Sequence, residues 1–231
     1  MLIFGDSMRI LTIAAHPDDE VLGCGGTVAR LVKEGHEVFT LILGEGVASR
    51  YEKDNKQKAK KQVEELKKQV YAANEIIGVK EVLTDDFPDN KFDTVALLEI
   101  VKAIEKIKNK IIPDIIFTHY EKDLNIDHQI TYKAVITATR PQPNETVREI
   151  YSFEVLSSTE WNYPLSFSPN VFFDITNTLE LKQKAMREYK SELREFPHPR
   201  SVEAVELNAK AWGMKIGLNY AEAFKVVRIL K

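Results

Sequence analysis

Five consecutive residues, His16-Pro17-Asp18-Asp19-Glu20, place one imidazole and three carboxylates side by side. Aspartate caps helices well, and acids in a first helical turn interact favourably with the helix dipole, so one or two carboxylates here would need no further account. Three of them beside a histidine repel one another unless a cation joins them. His16 and Asp19, three apart on a strand-to-helix turn, could chelate a hard-to-borderline metal such as zinc. Zinc then demands a third protein ligand from elsewhere in the chain.

The elements that would position this block follow from the pattern around it. Ile10, Leu11, Ile13, Ala14 and Ala15 form an apolar run with little alternation, which predicts a strand buried on both faces. Pro17 keeps His16 out of the helical region, so the strand breaks there. Val21, Leu22, Val28, Leu31 and Val32 then supply the buried side of a helix. The histidine and its carboxylates therefore fall at the carboxyl end of a buried strand, where open α/β sheets bind their ligands.

The chain has five histidines, so the search for a third ligand is short. His36 falls between a helix and a strand at the far end of the sheet and receives no role. His119 ends a predicted strand over 114–118. His128 closes the stretch Asp123-Leu-Asn-Ile-Asp-His128, and helical spacing over 126–139 makes Asn125 its N-cap. A histidine in the first turn after a parallel strand shares the rim with His16 and Asp19. The helix N-terminus disfavours an imidazolium there, and a metal ligand must be neutral. A first-turn histidine alone means little; this one supplies the ligand the first block lacks.

Between and beyond the two blocks, strand and helix alternate. Strands are predicted over 37–43, 81–83, 114–118, 149–156, 171–175 and 224–230. Helices are predicted over 53–77, over 94–109 with Asp93 as N-cap, from Asn177 with a capping box to Glu180, and from Ser201. Loops over 44–52, 84–92 and 157–170 are left to shape specificity. This predicts a single-domain, Rossmann-like α/β fold across residues 1–231, its sheet mostly parallel with helices on both faces.

Composition narrows the function classes. Thirty-two basic residues against 35 acidic ones, a formal charge of −3, give no footprint for nucleic acid and no polybasic membrane anchor. Cys24 is the only cysteine, which excludes an internal disulfide and fits a reducing compartment; inside a helix it reads as a small buried residue. No apolar run approaches the roughly eighteen residues that span a membrane, and the first residues lack a secretory pattern. The expectation is a soluble, cytoplasmic protein.

The strand leading into AHPDDE, paired with the later DLNIDH, resembles the zinc-dependent sugar de-N-acetylases, among them N-acetylglucosaminyl-phosphatidylinositol de-N-acetylase and the LmbE-like bacterial deacetylases. The resemblance covers about residues 9–140, and PHPRS with the late EAFKVV strand is similar to one bacterial branch. It implies that His16, Asp19 and His128 hold zinc, that Asp18 is the general base for water attacking an N-acetyl group, and that the substrate is a small N-acetylated sugar. Trimers or hexamers are implied in the same way. Many members carry a histidine where this chain has Asn125, three before the last ligand, which steadies the oxyanion or protonates the amine. Asn125 is therefore assigned to substrate, and His198 of the PHPR loop, or protonated Asp18, to that lost function; for His198 the alternative is a surface histidine. Arg50 either contacts substrate hydroxyls or is an exposed loop arginine. Trp161 either stacks a sugar face or packs. Asp127 either orients a neighbour in the active site or answers the helix dipole.

Three rivals stay open. A zinc hydrolase could act on another amide or an ester. A nucleotide-binding α/β module could use GCGG against phosphate, although those glycines fall inside the helix and not in the preceding loop. A structural metal protein would hold the ion without turnover.

Overall fold

In the computed structural model, which describes residues 7–47 and 56–231 with side chains from 60 onward in the second stretch, the apolar run Ile10–Ala15 is almost wholly buried. Along the chain the elements are β1 (Arg9–Ala14), α1 (Asp19–Lys33), β2 (Glu37–Gly44), α2 (Lys56–Ile76), β3 (Glu81–Phe87), α3 (Leu97–Ile111), β4 (Ile115–His119), α4 (Ile126–Ala138), β5 (Glu149–Phe153), β6 (Val171–Asp174), α5 (Leu179–Glu188), α6 (Val202–Ile216) and β7 (Ala221–Ile229). Short 3-10 turns occupy Phe92–Thr94 and Thr159–Trp161.

The strands form one sheet in the order β3-β2-β1-β4-β5-β7-β6. Its first five strands are parallel, and β7 runs antiparallel to both β5 and β6. Ile10 and Ala14 enter one core with residues of α1, α2, α5 and α6, while Leu11, Ile13 and Ala15 enter the other with α3 and α4. Coverage on both faces is why β1 lacks alternation. Each such fully buried Ile or Leu contributes about 1.5–3 kcal/mol relative to exposure.

Strand order runs outward from β1 to β3, and the chain then crosses to β4 on the other side of β1. The carboxyl ends of β1 and β4 thus flank the point of reversal, the crevice where such sheets bind ligands. The architecture is the expected Rossmann-like α/β one. No helix among the described residues is long and apolar enough to cross a membrane.

Local expectations needed correction where tertiary contacts outvote pattern. β3 continues to Phe87, because Gly44 pairs with Phe87 across a register shift, so the first four residues of the expected 84–92 loop are strand. α3 starts at Leu97 and Asp93 does not cap it; Phe92 is fully buried in a separate turn, its N–H donating to Asp127 Oδ1 at 2.9 Å. The Asn177 capping box does not form either. α5 begins at Leu179, Thr178 donates its hydroxyl to Gly26 O, and Glu180 pairs with Lys184.

Candidate metal centre and active site

The chain bends at Ala15 and His16 just after β1, and the His16 N–H donates to Asp19 Oδ2 at 2.8 Å, closing a tight turn. Asp18 between them takes a left-handed conformation, φ 88° and ψ −24°, which a non-glycine residue adopts only when its surroundings hold it there. On the other side of the crevice Asn125 caps α4 through Asp127 N–H at 2.8 Å, and this places His128 in the first turn.

The two blocks meet. His16 Nδ1 lies 3.3 Å from His128 Nε2 and 3.4 Å from Asp19 Oδ2, and His128 Nε2 lies 3.2 Å from the same oxygen. Two imidazole nitrogens and one carboxylate oxygen therefore form a small triangle able to hold a metal ion. An ion about 2.0–2.1 Å from tetrahedral ligands sets them roughly 3.3–3.4 Å apart, so the spacing fits zinc, and two His with one Asp leave a coordination position open. Glu20, the third acid of the block, turns away: it accepts from Asn74 Nδ2 at 2.8 Å and from the Tyr189 hydroxyl.

A second layer fixes the imidazoles. His16 Nε2 meets Asp127 Oδ2 at 3.0 Å and stands 3.5 Å from Asp89 Oδ1. His128 Nδ1 lies 3.1 Å from Asp123 Oδ1, and Asp123 also accepts from the hydroxyls of Ser158 and Thr159. His119 stacks on His128 with ring centroids 4.0 Å apart and accepts Ala15 N–H at 2.8 Å. Carboxylates behind metal-bound histidines orient the rings and raise their basicity.

Burial works against a charged His16, yet bonds to Asp127 and Asp19 raise it to about 10. His128 is raised to about 9, burial being outweighed by Asp19 and Asp123. Asp19 lies well below the usual carboxylate range because the histidines outweigh its burial. His119 is pushed well down by burial and by the charge of His128.

Asp18 is buried, and neither carboxylate oxygen has a hydrogen-bond partner among the described residues. Burial pushes its carboxyl up, opposed by the Arg200 guanidinium, whose Nη1 lies 3.3 Å from Oδ2. Arg200 is itself held by Ser157 Oγ at 2.8 Å and Glu192 Oε2 at 3.3 Å.

The remaining candidates divide. His198 Nδ1 accepts Arg200 N–H at 3.0 Å and its ring meets Trp161 edge-on at 5.9 Å; among the described residues it makes no hydrogen bond to Asp18 or the triangle. Trp161 is 43% exposed on the rim. Asn125 uses its oxygen in the helix cap and its Nδ2 to reach Asn90 Oδ1 at 3.2 Å. Asp127 acts on His16 from behind. Arg50 lies outside the described residues. Sequence reasoning missed Arg200, Asp123 and His119; the last two had a signal in their place at and just after the carboxyl end of β4, whereas Arg200 had none beyond the PHPR motif.

Residues 11–139, spanning both blocks, match the family described as PIG-L, GlcNAc-PI de-N-acetylase. Diacetylchitobiose deacetylase of Thermococcus kodakarensis is 29% identical over 97% of this chain and 85% of its own. The structure of N,N'-diacetylchitobiose deacetylase from Pyrococcus horikoshii, with an inhibitor bound, superposes with a TM-score of 0.76 at 25% identity, covering 97% of this chain and 85% of that one. GalB, the 4-carboxy-2-hydroxymuconate hydratase of Pseudomonas putida KT2440, shares the fold alone, with a TM-score of 0.74 at 20% identity over 97% and 98% of the two chains. The chain belongs to the PIG-L family of GlcNAc-PI de-N-acetylases.

Proposed function

We propose that this protein is a zinc-dependent hydrolase that removes the acetyl group from a small N-acetylated sugar amine. The observation that carries the reading is the triangle of His16, Asp19 and His128 beside the buried carboxylate of Asp18, which Arg200 faces at 3.3 Å. A relative at 29% identity, the diacetylchitobiose deacetylase of Thermococcus kodakarensis, supports the substrate class.

His16, Asp19 and His128 would hold the ion, which when bound supplies Lewis-acid activation of a water and of the amide carbonyl. Asp18 then takes a proton from the attacking water as general base. The water oxygen bonds to the acetyl carbon, the C–N bond breaks, Asp18 passes its proton to the departing amine, and the remaining proton of the new carboxyl follows it, giving acetate and the ammonium form of the sugar. Arg200 steadies the Asp18 carboxylate. His198, kept below its ordinary range by partial burial and by the Arg200 and Arg194 charges, is assigned to the oxyanion or the amine. Asp127 acts as a positioning residue through His16. Trp161, Asn125 and Arg50 are assigned to sugar contacts along the rim. A reducing, cytoplasmic setting fits the buried Cys24, and assembly as trimers or hexamers rests on the family alone.

Metal analysis joined to an amine-release assay over a panel of N-acetyl sugars tests the reading. It expects one zinc per chain, acetate and amine in equal amounts, and loss of turnover with retained zinc in Asp18→Asn. Full activity in that variant removes Asp18 from the mechanism, and release from esters alone replaces the substrate class.

A further inference from the structure

α1 is broken. Cys24 leaves the helical region with φ −145° and ψ 15°, separating a short first segment that carries Asp19 from the longer one behind it. In an unbroken helix Gly26 N–H would donate to Leu22 O and Thr27 N–H to Gly23 O. Here Gly26 N–H donates to Glu222 Oε1 at 3.0 Å and Thr27 N–H to Glu222 Oε2 at 2.7 Å. Leu22 O accepts from Lys182 Nζ at 2.7 Å, and Lys182 pairs with Glu222 Oε1 at 2.6 Å.

The ion pair thus stands inside the hydrogen bond the break removes, running carbonyl, ammonium, carboxylate, amide. Lys182 comes from α5 and Glu222 from β7, and each is 4% exposed. A buried ion pair by itself adds little net stability, because desolvation offsets attraction. This pair also satisfies three buried backbone groups at the ends of two helical segments.

The break faces the site. A Cβ on Gly23 would stand 2.2 Å from Phe153 Cδ2, so the first segment packs there only as glycine. Phe153 meets His119 edge-on at 5.0 Å, and His119 stacks on His128. The angle between the two segments of α1 therefore decides where Asp18 and Asp19 stand.

We propose that Lys182 and Glu222 are positioning residues whose ion pair sets the angle at the break in α1 and so holds Asp18 and Asp19 in register with His16 and His128. The inference rests on the metal-dependent reading of that site. Cobalt(II), whose visible bands report ligand geometry, is the probe. Metal-free wild type, Glu222→Gln and Lys182→Met are titrated beside Lys108→Met, which loses a half-buried pair with Glu145 between α3 and the loop after α4. The first two variants are expected to bind cobalt at least about tenfold more weakly with altered bands. Lys108→Met is expected to lose thermal stability without moving either readout. Unchanged cobalt affinity and bands in Glu222→Gln overturn the inference. If the variants do not fold, amide exchange on wild type decides: cobalt is expected to slow Gly26 and Thr27, and unchanged rates there overturn it. Failure of the underlying reading shows in wild type instead, as no cobalt binding or as bands that survive Asp19→Ala, and it removes the inference with it.

Discussion

Asp127 joins His16 to the turn before α3: one carboxylate oxygen lies 3.0 Å from His16 Nε2, and the other accepts Phe92 N–H at 2.9 Å. The carboxylate thereby fixes which imidazole nitrogen faces the triangle. Removing such a partner costs about 10–100-fold in metal affinity. Asp127→Ala is expected to show that loss in zinc competition titrations, with turnover recovering at saturating zinc. Unchanged affinity would leave Asp127 as a helix-dipole acid.

Arg200 and His198 share a loop but contact different partners. Arg200→Ala removes the cation 3.3 Å from Asp18 Oδ2 along with its contacts to Glu192 and Ser157, so kcat is expected to fall more than about tenfold with zinc content unchanged. His198→Ala is expected to cut turnover by a similar factor, also with zinc retained. Steady-state kinetics with metal analysis on both variants checks this. Near-normal turnover in His198→Ala makes it a surface histidine.

Gly23 has no room for a side chain. Gly23→Ala drives a methyl into Phe153, and overpacking of this kind costs about 1–3 kcal/mol. Chemical denaturation is expected to show that loss. Turnover should fall as well, since Phe153 backs His119.

Glu154 tests a partly buried carboxyl away from the triangle. Its carboxylate accepts from Asn208 Nδ2 at 2.8 Å and Trp212 Nε1 at 2.6 Å, and burial raises its pKa above the ordinary 4.5. A carboxyl raised on folding binds its proton more tightly in the folded state. Its contribution is therefore complete below pH 4.5 and is lost as pH rises through the folded value. Glu154→Gln keeps an acceptor oxygen and cannot ionise. The variant is expected to lose less thermal stability than wild type between pH 5 and pH 8; an equal loss would contradict the assignment.

Much of this was legible because it rests on local chemistry. The unalternating run in β1, the proline after His16 and the Asn125 cap each act over a few residues, and together they set the His16, Asp19 and His128 backbones on one rim. What stayed hidden depends on partners far along the chain. The break at Cys24 needs Glu222 and Lys182 to be seen, and the helical pattern of Val21, Leu22, Val28 and Leu31 runs straight through it. Phe92 reads as the approach to a helix until Asp127 is placed above its N–H. Arg200 gains its meaning only when α6 brings its loop against Asp18.

X-ray absorption at the zinc edge, on protein loaded with one equivalent, tests the central claim most directly. A first shell of two imidazole nitrogens and light oxygen donors is expected, with the imidazole signal reduced by half in His128→Ala and the site lost in Asp19→Ala. A wild-type spectrum lacking paired imidazoles, or one unaltered by both substitutions, would contradict the account.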